Sequence, residues 1–210
     1  MARYIDPSCR QCRRIGEKLF LKGTRCYTPK CAVERRKRTP GPHQPKRRRT
    51  SDWAVQLREK QKAKFTYGIL ERQFRRYFEN ARENTGITGE ILLQILERRL
   101  DNTIYRLSFA DSRKQARELV NHGHFTVNGR RVDIPSYLVR PGDVIAWAEV
   151  EEGVVPAFIQ QLTDGTAKHS VPRWLKIDAA ALKGEVLSLP DVSENDTGIE
   201  PRLIVESYNR

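Results

Sequence analysis

Four cysteines, Cys9, Cys12, Cys26 and Cys31, fall near the start of a 210-residue chain that has no others. Their spacing is Cys-x2-Cys, thirteen intervening residues, then Cys-x4-Cys. The tight first pair can present two thiolates to one ion from a short turn. The second pair can close a tetrahedron from the far side of a loop. Four soft donors suit a structural zinc, and the same thiolates also allow an iron–sulfur cluster. Disulfides are the competing use. They need an oxidising compartment, the chain starts without the apolar run of a secretory signal, and neighbouring cations are expected to lower the thiol pKa values. With four protein ligands no position is left for water, so the expected role is architectural. Residues 1 to 31 have too few apolar side chains for a core, and a structural zinc can contribute roughly 10 to 16 kcal/mol to ordering such a segment.

The second chemical signal is cationic. Ser112 to Val132 reads SRKQARELVNHGHFTVNGRRV. Arg113, Lys114 and Arg117 lie beside an apolar stripe, and Arg130 and Arg131 follow the Asn128-Gly129 pair. Five cations on capped elements form a rigid positive lattice suited to a folded polyphosphate, with RNA the first candidate. We expect these five to contact phosphates and Asn128 to lie near sugar or backbone. From Arg35 to Thr50 the chain has eight basic residues, three prolines and no acid. It is expected to be extended when isolated and to thread between phosphates, with Arg35, Arg36, Arg38, Arg47, Arg48 and Arg49 forming a clamp.

Catalytic constellations are sparse. There is no phosphate-cradling glycine loop and no plausible Ser/His/Asp assembly. Arg99-Leu100-Asp101 is similar to a pseudouridine-synthase motif whose aspartate is the nucleophile, but here Asp101 sits within a helical apolar pattern. We read it as structural.

These residues need elements to hold them. Ser112 and Gln115 form a capping box, so a helix is expected from Arg113, with Ala116, Leu119 and Val120 buried and Gly123 closing it. Phe125 and Val127, then Val132 and Ile134, alternate about a two-residue hairpin turn. Upstream, three helices are expected. The first runs from about Asp52 to Lys64 with Trp53, Leu57 and Lys60-Gln61 at helical spacing. The second runs from about Leu70 to Asn84 with Leu70, Phe74, Tyr77, Phe78 and Ala81 on a core face. The third runs from a Thr88 cap to about Leu107 with Leu93, Leu96, Leu100, Thr103 and Leu107 inside. Pro141-Gly142-Asp143 marks a turn expected to pair Leu138-Val139 with Val144-Ile145. Trp174 to Ile177, Glu185 to Leu189 and Leu203 to Val205 look like short strands.

Net charge is +13, unevenly spread: +13 over residues 1 to 50, +6 over 51 to 140 and −6 over 141 to 210. A polyanion should meet the first two-thirds, while the acidic last third should face solvent or basic protein neighbours. No apolar run approaches the ~20 residues of a membrane span.

Leu100-Asp101-Asn102, Tyr105-Arg106-Leu107, Gln115-Ala116-Arg117, His122-Gly123-His124, Val127-Asn128-Gly129 and Ile134-Pro135-Ser136-Tyr137 together resemble the signature of bacterial ribosomal small-subunit protein four. The similarity runs from Ala2-Arg3-Tyr4 to the last residues, with a departure at Pro40-Gly41-Pro42-His43-Gln44, where the family usually has Pro-Gly-Gln-His-Gly. Some family members have the four cysteines and others lack them, so the resemblance implies the metal-binding subtype. It implies an α+β fold in two domains. One is helical, with a metal site and basic arm over 1 to 50, helices over 51 to 90 and residues 191 to 210 folded back. The other is an inserted RNA-binding domain over 91 to 190, with helices, a small antiparallel sheet and a module at about 98 to 160. It further implies a cytoplasmic protein of the bacterial ribosome that binds 16S ribosomal RNA early in assembly, at a helix junction, and influences decoding through neighbouring proteins, protein five above all. The rival reading is an RNA-modifying enzyme or assembly factor carrying the same module. A zinc-dependent DNA binder is third.

Overall fold

The computed structural model describes residues 4–36, 38–41, 50–148, 171–178, 181–191 and 196–209. It divides into two compact units, Met1–Leu93 with Asn195–Arg210, and Gln94–Glu194.

The first unit begins with α1 (Ser8–Ile15), whose Ser8, Gln11, Cys12 and Ile15 are buried at helical spacing and whose end is closed by left-handed Gly16. A 3-10 turn (Gly23–Tyr27) and the one-turn α2 (Ala32–Arg35) follow. Cys12, Ile15, Leu19 and Leu21 make a small core under Val33 and Phe65. Then come α3 (Asp52–Thr66), capped by the Ser51 hydroxyl, and α4 (Glu71–Glu83). Phe74, Phe78 and Ala81 are the buried face of α4, while Leu70 lies outside it and is 42% exposed. On α3 the expected stripe is wrong: Trp53 is 56% exposed, and Gln56, Lys62, Ala63 and Thr66 are buried instead.

The reason is the last helix. Leu203 to Val205 form no strand; they lie in α8 (Pro201–Tyr208), which Pro201 starts from a position where its missing N–H costs nothing. α8 docks on α3, with Gln56 donating to Glu206 at 2.7 Å and the Lys62 ammonium donating to the Gly198 carbonyl at 2.6 Å. Tyr208 stacks on Phe78 with ring centroids 4.3 Å apart. The α3 face is therefore polar because its partner segment is polar.

The second unit starts within α5 (Thr88–Glu97) and continues as α6 (Leu100–Arg106) and α7 (Arg113–Asn121). One continuous helix to Leu107 is not what forms. At Arg99 the backbone turns extended (φ −64, ψ 136) and bridges Leu138. The open amides of Leu100 and Asp101 donate to the carbonyls of Tyr137 (2.8 Å) and Pro135 (3.2 Å), so the break leaves no orphan donors there. Leu138-Val139 accordingly pair with this break and not with Val144-Ile145.

Five short strands follow: β1 (Phe125–Val127), β2 (Arg130–Arg131), β3 (Val144–Trp147), β4 (Leu175–Asp178) and β5 (Lys183–Val186). All neighbours are antiparallel in the order β2-β1-β3-β5-β4. Asn128 (φ 52) and Gly129 (φ 77) are both left-handed, as the tight β1–β2 turn requires. β2 stops at Arg131, so Val132 and Ile134 lie beyond it, Ile134 54% exposed. The strand expected over Glu185 to Leu189 starts and ends earlier. Beneath the sheet, Leu100, Ile104, Leu107, Phe109, Ala116, Val120, Phe125 and Ile145 form the core.

Candidate nucleic-acid interface

α1, the 3-10 turn and α2 build a cleft of about 610 Å³ in the first unit. Arg10 and Arg13 come from α1, Lys22 and Arg25 from the turn, Lys30 from the loop after it, and Arg35 and Arg36 from the end of α2. Among the described residues no acidic side chain lines it. Seven cations around one concavity repel one another, and a phosphate chain relieves that repulsion while releasing its own counterions. Sequence reading found Arg35 and Arg36 but missed the other five, because they are scattered over 20 residues and only the α1 register and the turn gather them. The Arg13 guanidinium donates to the carbonyls of Arg38 (3.0 Å) and Thr39 (3.2 Å), tying the start of the basic arm to α1. The Arg38 side chain is exposed. Arg47, Arg48 and Arg49 lie outside the described residues, as does His43.

All four cysteines are free thiols; Cys12, Cys26 and Cys31 are buried, and Cys9 lies on the cleft wall. Burial raises the Cys12 pKa against a backbone hydrogen bond from Leu19, and the charges of the other three sulfurs add to the rise. Burial likewise raises Cys26, whose sulfur receives the Lys22 N–H at 3.4 Å. The expected lowering by neighbouring cations is therefore overturned for these two: desolvation is the larger effect. Among the described residues no group of three or more His, Cys, Asp or Glu side chains is arranged to hold a metal. The donor chemistry nevertheless suits a soft cation: four unbridged sulfurs within electrostatic reach of one another, two of them accepting backbone N–H bonds.

In the second unit α7 is fixed at both ends. The Ser112 hydroxyl accepts the Gln115 N–H, while the Gln115 side chain returns to the Asp111 amide, one residue earlier than a strict capping box. At the other end Gly123 and His124 amides donate to the Val120 (2.8 Å) and Leu119 (3.1 Å) carbonyls around left-handed Gly123.

The five predicted cations separate. Arg117 is 7% exposed, and its guanidinium binds the Asp101 carboxylate at 2.7 Å, sharing it with Arg99. It holds α7 to α6. The same pairing occupies Asp101 on two sides, which is an architectural use of that carboxylate. Arg113 is half-buried, stacked 4.4 Å over the Tyr105 ring and donating to Asn102 at 2.7 Å. Lys114 is half-buried; Arg130 and Arg131 are exposed. Asn128 uses both ends of its amide inside the protein, donating to Asp143 and accepting from the Val144 N–H, each at 2.8 Å. These bonds lock the turn. Arg98 and Arg140 were missed by sequence reading. Burial lowers the Arg98 pKa, and the like charge of nearby Arg140 lowers it further.

What the structure offers is positive charge on short elements, exposed at Arg35, Arg36, Arg38, Arg130 and Arg131. Comparison with known proteins agrees with this reading of its chemistry. The family model described as the ribosomal protein S4/S9 N-terminal domain matches residues 3–97, and the S4 domain matches residues 98–145. Proteins named small ribosomal subunit protein uS4 from Pelotomaculum thermopropionicum and Acetivibrio thermocellus are each 55% identical over 210 residues, covering both chains completely. The protein of that name from Thermus thermophilus is 54% identical over 211 residues, again with full coverage of both.

Proposed function

The chain belongs to the ribosomal protein S4 family, and we propose that it works as that family's RNA-binding constituent of the small ribosomal subunit, recognising folded 16S ribosomal RNA by shape and phosphate position. The observation that carries the reading is the cationic cleft of the first unit, which no acidic side chain among the described residues lines; Arg130 and Arg131 of the second unit are separately exposed. A-form grooves hide base edges from side chains, so charges on rigid elements read the backbone of a helix junction. Bound early, such a protein organises the junction for later proteins and so nucleates subunit assembly in the cytoplasm. The net −6 of residues 141 to 210 suits basic ribosomal neighbours, among them protein five, through which decoding accuracy is influenced. On this reading the protein is a structural RNA binder rather than an enzyme, and Asp101, paired with Arg99 and Arg117, supports an architectural use of that carboxylate.

The phosphate contacts belong to Arg10, Arg25, Arg35, Arg36 and Arg38 in the first unit and to Arg113, Lys114, Arg130 and Arg131 in the second. Arg47, Arg48 and Arg49 extend the first set. Cys9, Cys12, Cys26 and Cys31 hold one zinc, with an iron–sulfur cluster as the other occupant the thiols allow. The bound metal supplies a cross-link among α1, the turn and α2, and the free, mostly buried thiols support this. Metal analysis of the purified chain tests it, and substoichiometric zinc and iron would refute it.

RNA recognition is tested by titrating the protein with protein-free 16S RNA and with an unstructured polyanion of equal charge across a salt series. Preference for the folded RNA is expected. Arg130→Glu with Arg131→Glu should weaken binding and flatten the salt slope by about one for each phosphate no longer neutralised. Equal affinity for both polymers would remove the proposal.

A further inference from the structure

The module contains an aromatic column that phosphate recognition does not use. The ring of His122 lies parallel to that of His124, with centroids 6.0 Å apart and planes 12° from one another. His124 in turn lies parallel to Trp147 at 5.5 Å and 14°. Trp147 meets the fully buried Phe125 edge-on at 4.7 Å, which anchors the column to the core of the sheet. Exposure rises along it: Trp147 and His124 are half-buried and His122 is exposed.

The outer end is held firmly. His122 terminates α7, and its carbonyl accepts the Arg131 guanidinium at 3.0 Å. Gly123 makes that approach possible, since a Cβ there would collide with the Arg131 side chain. The rings are thus fixed by a helix end, a strand pairing of Phe125 with Trp147, and an arginine brace. A stack of parallel rings whose last member faces solvent beside an exposed arginine has the two features a single nucleotide needs. One is a π face for the base and the other is a cation for its phosphate.

We infer that the His122–His124–Trp147 column is a stacking platform for one unpaired RNA base, with Arg131 at the adjoining phosphate. The inference rests on the RNA-binding reading above and adds to it a contact to a base rather than to the backbone. A paired nucleotide cannot use the platform, because both faces of its base are already stacked.

The test compares the full chain with His122→Ala and His122→Phe on protein-free 16S RNA and on a fully paired RNA duplex. His122→Ala should lose about tenfold affinity for the 16S RNA. It should leave duplex binding and both salt slopes unchanged, since a base stack releases no counterions. His122→Phe should restore most of the loss. Ultraviolet crosslinking of the unmodified chain should join the His122–His124 peptide to an unpaired nucleotide. Unchanged 16S affinity in His122→Ala, an equal loss on duplex, or a crosslink only to paired nucleotides would overturn the platform and leave the phosphate reading standing. An unmodified chain that binds 16S RNA no better than an unstructured polyanion of equal charge would overturn the RNA reading and the platform with it.

Discussion

Arg117 and Arg131 carry the same charge fourteen positions apart, and their surroundings give them opposite work. The Arg117 guanidinium is buried against Asp101, so truncating it leaves a buried carboxylate with only Arg99 beside it. Arg117→Ala should destabilise the protein by roughly 3 kcal/mol in urea denaturation. Arg130→Ala should leave stability within about 0.5 kcal/mol and reduce RNA affinity. Equal stability losses would contradict the separation. The sequence could not separate them, because Arg117 adjoins the buried Ala116 on α7 and its partner lies sixteen residues upstream. Ser108 is a quieter case. It holds a left-handed backbone (φ 60) after α6, a position glycine prefers, and its buried hydroxyl has no hydrogen-bond partner among the described residues. Ser108→Gly should therefore stabilise by about 1 kcal/mol, measured as a rise in urea midpoint.

Elements formed where local signals agreed with their tertiary partners. The α7 start, its glycine close and the β1–β2 turn were legible because cap, stripe and turn chemistry are encoded within a few residues. The break at Arg98-Arg99 was not, since its cause is the Pro135–Tyr137 segment offering carbonyls to α6 from outside. The α8 helix was missed for a similar reason: Leu203 to Val205 are a short apolar run rich in β-branched residues, which suits a strand, but their partner is the polar face of α3. Two consequences can be measured. Gly184 on β5 sits so close to Leu107 after α6 that a Cβ would collide with its side chain, so Gly184→Ala should cost about 1–3 kcal/mol by thermal or urea unfolding. Burial pushes the Glu71 carboxyl up, yet hydrogen bonds from Lys64, Lys60 and Tyr208 outweigh it and hold the pKa at about 2. A carboxylate depressed on folding contributes stability above its unfolded value of roughly 4.3 and loses it as pH falls toward 2. The protection of α8 amides relative to their intrinsic exchange should fall over that window, and Glu71→Gln should remove this pH dependence.

At the scale of the molecule, the cationic cleft stands on elements with a small core. The cleft cations stand on α1, the 3-10 turn and α2, three short elements whose own core is four buried residues with Val33 and Phe65 against them. The sheet unit buries fifteen residues in one cluster and has ion pairs on buried side chains, whereas the Lys18–Glu34 pair beside α1 and α2 is more exposed. Like charges gathered around a concavity oppose folding, so something must offset them in the absence of RNA. The metal proposed for the four thiols, with Cys9 on the cleft wall itself, would supply that offset. Removing the metal with a chelator should accelerate amide exchange across α1 and α2 and lower RNA affinity with a shallower salt slope. Exchange in β1, β3 and β5 should stay unchanged, because their hydrogen bonds and core involve none of those elements. Slower exchange returning on zinc addition would tie the effect to the thiols. Equal protection of α1 and α2 with and without chelator would mean that these elements hold the cleft together by packing alone.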